Sequence, residues 1–246
     1  MCRLLGVDAD TETAKGFLDA LISASRNDPF NNGKSHADGW GAALCFKDEY
    51  FTVRSSQPIF SDSNASSLLR PAKERVTGIF HARKAAKGEP AGAPFDSHPF
   101  AVSIGEDIVY LAHNGHIDKR KLQREVGLDV SKMNDSEVFA HFVARQAQDF
   151  EEALQTGIEM VHEYHALYSA LNLVVLRIDR EGGLHVYYYN DFKEKELYYR
   201  LFLYNSNGQK AVMSSSVAFI SGLIDGKGKI VDKNTSLCDL GKLGRL

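Results

Sequence analysis

Short apolar segments that double back through polar turns restrict this 246-residue sequence more than any other feature. Trp40–Phe46 and Tyr50–Ser55 read as strands joined at Lys47–Glu49, and Pro99–Ile104 and Ile108–His113 as strands around Gly105–Asp107. Leu171–Ile178 and Leu184–Tyr189 pair over Arg180–Gly183. Tyr199–Tyr204 and Ala211–Ser215 pair over Asn205–Gly208, where Asn207 and Gly208 supply a strong tight-turn signal. Arg3–Val7 and Val76–Arg83 add two further strands. Ala14, Phe17, Leu18, Leu21 and Ile22 recur at helical spacing in Thr11–Ala24, and helices are also expected over Ser63–Leu69, Asp118–Val126, Ser136–Gln148 and Phe150–His165. Helices are therefore grouped rather than placed between strands. That order calls for antiparallel sheets with helices stacked on them, not a parallel doubly wound sheet. Asn27–Asp38 and Lys84–Ser97 are rich in Asn, Asp, Gly, Ser or Pro and read as loops. With no linker and no internal repeat, residues 1–246 are expected to form a single domain.

Composition removes several classes of function. Hydrophobic residues make up 43% and charged residues 25%, the mix of an ordinary globular domain. A net charge of -3 supplies no basic field for nucleic acid or an acidic membrane. The segment after Met1 meets Asp8 and Asp10 before any signal-like apolar run develops, and the apolar stretch near Leu171–Leu176 is too short to span a bilayer. Cys2, Cys45 and Cys238 are odd in number and widely spaced, which argues against a disulfide framework or zinc knuckle and points to a reducing, cytoplasmic setting.

Chemistry concentrates in a few places. Cys2 follows the initiator Met1, and removal of Met1 would leave a thiol and a free α-amine on one residue. A free thiol titrates at ~8.5 and an α-amine at ~7.7–8.0, so the amine can be neutral and act as base for its own side chain. Taken alone, Cys2 also reads as a small buried hydrophobe. His113-Asn114-Gly115 stands at the end of an apolar strand. An Asn side-chain amide and a Gly N–H make a donor pair for an oxyanion, although Asn-Gly by itself is more simply a turn. Arg83, in His81-Ala82-Arg83, offers the two-pronged grip that fits a carboxylate. Asp135, in Asn134-Asp135-Ser136-Glu137, either caps a helix or accepts from a substrate α-ammonium. His36-Ala37-Asp38-Gly39-Trp40-Gly41 carries the only tryptophan, and Ser97-His98-Pro99-Phe100 is a second loop-to-strand entry; both also read as ordinary packing.

Together these residues resemble the class II glutamine amidotransferases of the N-terminal-nucleophile hydrolase superfamily, most closely the stand-alone members without a fused synthetase. Cys2, the His-x-Asp-Gly-Trp-Gly run, His81-Ala82-Arg83, Ser97-His98-Pro99-Phe100, His113-Asn114-Gly115 and Asn134-Asp135-Ser136 occur in the family's order over residues 2–140. The resemblance implies an α+β, four-layer αββα sandwich of two antiparallel sheets flanked by helices. It implies Cys2 as nucleophile, Asn114 and Gly115 as oxyanion hole, Arg83 as carboxylate ligand and Asp135 as α-amine ligand. His36, Asp38, Trp40, His81 and His98 are expected around the pocket. One departure is Ala86, where the family often has a threonine three residues after the arginine.

The implied reaction is hydrolysis of the side-chain amide of glutamine, or of a γ-glutamyl compound, through a thioester on Cys2. It needs no cofactor and no metal. The ammonia would pass to a separate synthetase or acceptor-binding subunit. The alternative is a catalytically idle binding or regulatory subunit on the same fold. His113-x-x-His116 and His162-x-x-His165 lack a zinc-binding pattern, Gly226-Lys227-Gly228-Lys229 lacks P-loop spacing, and the tyrosines at 187–189 and 198–199 have no basic patch beside them.

Overall fold

A computed structural model describes residues 2–47, 49–69 and 74–246. The first strand, β1 (Arg3–Asp10), runs into α1 (Thr11–Arg26), whose start is capped by the Asp10 carboxylate taking the Thr13 N–H. β2 (Trp40–Phe46), β3 (Glu49–Ser55), the short α2 (Ser63–Ser67) and β4 (Arg75–Ala82) follow. Then come β5 (Phe100–Ile104), β6 (Asp107–Ile117), α3 (Lys119–Val126), α4 (Asp135–Val143) and α5 (Phe150–Glu163). The chain continues through β7 (Leu167–Ile178), β8 (Leu184–Tyr189), α6 (Glu196–Tyr199), β9 (Leu201–Ser206), β10 (Gln209–Ser214) and α7 (Ser215–Ile220), and ends on β11 (Thr235–Leu237) and β12 (Leu243–Arg245). Among the described residues no helix is long and apolar enough to cross a membrane.

The strands form two antiparallel sheets, ordered β11-β9-β10-β1-β4-β2-β3 and β12-β8-β7-β6-β5. Three apolar layers hold them. Leu5, Val7, Trp40, Phe80 and Met213 of the larger sheet bury against Leu18 and Leu21 of α1 and Val217 of α7. Leu111, Leu173 and Val175 of the smaller sheet bury against Phe139 and Phe142 of α4 and Leu154 and Ile158 of α5. Between the sheets, Leu4, Ile79 and Val212 meet Ala112, Val174, Leu176 and Val186. The result is the four-layer αββα sandwich expected from the sequence. Gly6 permits the sheets to approach, since a Cβ there would lie 2.7 Å from Val174 Cγ1 and 2.9 Å from Val212 Cγ1.

Several boundaries differ from the sequence reading for local reasons. The helix expected over Ser136–Gln148 ends at Val143, because the Arg145 N–H (3.1 Å) and the Gln146 side-chain Nε2 (2.8 Å) both turn to the Phe142 carbonyl. β6 runs past His113 to Ile117, with Asn114 opposite Asn172 and Gly115 opposite Leu171, so Asn114-Gly115 is strand interior rather than a turn. The true turn is Asn207-Gly208, where both residues have positive φ (51° and 76°). The Lys47–Glu49 connection includes Asp48, which lies outside the described residues.

Candidate active site

Three strand ends converge where the nucleophile candidate sits. β1 begins at Arg3, opposite Ala82 at the end of β4, and Ala82 also lies opposite Trp40 at the start of β2. Cys2, just before β1, and Arg83, just after β4, are therefore held side by side at one edge of the larger sheet. β6 of the smaller sheet crosses beneath them and contributes His113, Asn114 and Gly115. Met1 lies outside the described residues.

A narrow cleft opens here, lined by Cys2, Arg83, Lys84, Ala85, Ala86, Glu89, His98, His113, Gly115, Asn134, Asp135 and Ser136. The Cys2 backbone N donates to Asn114 Oδ1 at 2.8 Å, and its Sγ lies against the backbone of Lys84, 3.4 Å from N and 3.6 Å from O. Asn114 is fixed through its oxygen, so its Nδ2 is turned elsewhere and has no partner among the described residues. Gly115 cannot carry a side chain: a Cβ would fall 1.7 Å from the Ala170 carbonyl oxygen. His113 beside it is neutral. Burial holds it below its usual range, its Nε2 meets the Ala170 carbonyl at 3.1 Å and its Nδ1 meets Ser136 Oγ at 2.8 Å. A carbonyl only accepts, so the ring proton is assigned to Nε2.

Arg83 is 3% exposed, and its Nη2 donates to the Pro90 carbonyl at 2.6 Å. Its Nη1 is buried without a partner, an expensive condition for a cation unless an anion joins it. Asp135 is the first residue of α4, but the cap is Asn134, whose Oδ1 takes the Glu137 N–H at 2.9 Å. The capping alternative for Asp135 is thereby corrected. Its carboxylate instead accepts from the Ile117 N–H (2.9 Å) and the Ser136 N–H (2.8 Å), with Ser136 Oγ at 3.1 Å and His116 Nδ1 at 3.3 Å. Burial pushes its pKa up, but the contact with His116 and the hydrogen bond from the Ile117 N–H outweigh burial and bring it down to about 2. The cleft lining thus includes both a cation with an unpartnered nitrogen and an anion.

The remaining sequence candidates sit at graded distances. His98 lines the cleft, and His81 stacks behind it with ring centroids 3.9 Å apart and its Nε2 3.2 Å from the His113 carbonyl. Asp38 Oδ2 takes the Ala85 N–H at 2.9 Å and so pins the start of the 84–93 loop. Trp40 lies in the core under α1 and bonds Asp62 Oδ2 through Nε1 at 2.9 Å, outside the cleft lining. His36 reaches the site indirectly through a network that sequence reasoning missed. Arg3 Nη1 donates to the Cys2 carbonyl at 3.1 Å and its Nε to Asp28 Oδ2 at 2.7 Å. Asp28 also binds His36 Nε2 at 2.7 Å and Ser216 Oγ, and the Arg3 guanidinium lies 3.8 Å over the Tyr198 ring. Arg3 and Asp28 are fully buried. The one local signal for this network was a charged residue in an otherwise apolar strand; Asp28 and Ser216 are too far away in sequence to have been linked to it.

A family model described as "Glutamine amidotransferases class-II" matches residues 1–177. No curated protein matches the chain at a significant level.

Proposed function

The chain belongs to the class II glutamine amidotransferases, which draw ammonia from the side-chain amide of glutamine, and on that premise we propose that Cys2 is its nucleophile and that glutamine or a γ-glutamyl amide is its substrate. The observation that carries this reading is the pair of buried donors without partners, Asn114 Nδ2 and Arg83 Nη1, in the region that also holds Cys2 Sγ and the Asp135 carboxylate. Donors left unmade in a folded interior cost free energy that a bound molecule of the right shape recovers.

In this reading Arg83 takes the α-carboxylate and Asp135 the α-ammonium, so the amino-acid end is held at both charges and the side-chain amide is turned to Cys2. With Met1 gone, the Cys2 nitrogen is an α-amine, and it removes the thiol proton as sulfur attacks the amide carbon. The oxyanion receives hydrogen bonds from Asn114 Nδ2 and the Gly115 N–H. Asn114 Oδ1 holds the amine in place. The protonated amine returns its proton to the leaving nitrogen, which departs as ammonia or an amine and leaves a γ-glutamyl thioester on Cys2. Water, deprotonated by the same amine, attacks the thioester, and glutamate leaves as the thiol is restored. The Arg3–Asp28–His36 network holds the Cys2 carbonyl still throughout.

We place the reaction in a reducing compartment, the cytoplasm, because all three cysteines are buried and unpaired. When glutamine is the substrate, the ammonia passes to a synthetase. Glutamate release by wild type and by Cys2→Ala, measured over a panel of glutamine and γ-glutamyl amides, tests the proposal. Activity on at least one panel member, lost in Cys2→Ala, supports it. Equal rates in the two proteins would overturn it and return the chain to the idle binding-subunit reading.

A further inference from the structure

His98 is the most under-satisfied group in the cleft. It is 3% exposed, and neither Nδ1 nor Nε2 has a hydrogen-bond partner among the described residues. Packing does not leave the ring free to turn toward one: His81 stacks on one face at 3.9 Å and Phe100 meets it edge-on at 4.7 Å. The ring is uncharged, held well below its usual range by burial first and then by the positive charges of Arg83 and Arg54. A neutral imidazole has one N–H to give. His98 and Arg83 line the same cleft, Arg83 Nη1 is a second buried donor there without a partner among the described residues, and Ala86 presents only a methyl group to the lining.

We infer that His98 is a second ligand of the substrate α-carboxylate, donating a ring N–H to one oxygen while Arg83 Nη1 binds the other, so that the pocket selects γ-glutamyl compounds whose α-carboxylate is free. This rests on the assignment of Arg83 to the carboxylate end. It gives the anion two donors of different kind, one charged and one neutral, without burying a second positive charge. It also accounts for a rigid, buried ring with two empty hydrogen-bonding positions, which a purely structural histidine has no reason to keep.

His98→Phe is the informative variant, because it keeps an aromatic plate between His81 and Phe100 and removes both nitrogens. Binding is read by calorimetry in the Cys2→Ala background, so the result does not depend on turnover and a failure of the nucleophile assignment shows separately, in the glutamate-release assay. Glutamine affinity is expected to fall about tenfold or more, the loss typical of a hydrogen bond to a charged group. Affinity for glutaminamide, which lacks the carboxylate, is expected to change less than twofold. The ligand-free protein should melt higher than its parent, since two buried unpaired nitrogens are gone, and glutamine should raise its melting temperature by less. His98→Gln, which restores a donor, should recover part of the glutamine affinity and carries the test if the Phe variant does not fold. Equal losses for glutamine and glutaminamide, or unchanged glutamine binding in the variant that folds, would overturn the inference.

Discussion

Asn114 holds the backbone nitrogen of Cys2 with its oxygen, and its amide nitrogen has no partner among the described residues. One side chain therefore orients the proposed base and stabilises the proposed oxyanion. Asn114→Ala removes both and should lower kcat by about 10²–10³, the usual cost of one oxyanion donor, in steady-state assays of glutamate release. KM should move far less, because the grip on the amino-acid end lies at Arg83 and Asp135. A rise in KM with kcat unchanged would assign Asn114 to ground-state binding instead. At this scale the sequence was informative where a residue type carries its own chemistry: Cys2, Arg83, Asn114, Gly115 and Asp135 stand out by type and order, and the fold lines one cleft with four of them and bonds Asn114 to Cys2. It was silent on Arg3, Asp28 and Ser216, whose contacts join positions 25 and 188 residues apart. No spacing rule reaches across such distances.

Elements position these groups through their ends and their smallest residues. The start of β1 and the end of β4 are locked opposite one another through the pair Arg3 and Ala82, which is why Cys2 and Arg83 emerge together. Gly6, three residues into β1, sets how closely the smaller sheet, with Asn114 on β6, comes to the larger one. Its missing side chain faces Val174 of β7 and Val186 of β8. Gly6→Ala should destabilise the fold by about 1–3 kcal/mol through overpacking, measurable by denaturant unfolding, and should also slow catalysis by moving β6 relative to Cys2. Full stability in that variant would mean that the sheets separate without cost. The element pattern was legible because hairpins and amphipathic helices leave local periodicities. The exceptions are instructive. Asn114-Gly115 carries a turn signature inside a strand, because its glycine is demanded by the Ala170 carbonyl across the ladder rather than by a bend. α7 is six residues long and begins Ser215-Ser216, too short to show a period.

Across the whole molecule, buried ionisable groups tie stability to pH. Asp28 is pushed up by burial, but the His36 hydrogen bond and the Arg3 charge more than offset this and bring it to about 2, as in Asp135. A carboxylate whose folded pKa lies below its unfolded value contributes stability that is present above about pH 4 and lost as pH falls toward 2. Each is worth about 2 kcal/mol by that shift. Deeply buried histidines act at higher pH. His36, His81, His98 and His113 are all lowered, chiefly by burial, so below about pH 6.5 the unfolded chain takes up protons that the folded chain refuses, and stability falls as pH falls. His116 is raised by Asp135 and opposes this in part. Melting temperature should therefore decline from pH 7 to pH 5 and more steeply below pH 4; a flat profile across that range would contradict the buried, neutral assignment of these rings.

Cys2 with a free α-amine is the premise beneath all of this, and mass spectrometry of the purified protein after exposure to a glutamine-analogue electrophile tests it most directly. The intact mass should lack Met1, and the treated protein should gain a single adduct that fragments to Cys2, blocked by excess glutamine. A retained Met1, or an adduct on Cys45 or Cys238 with Cys2 untouched, would contradict it.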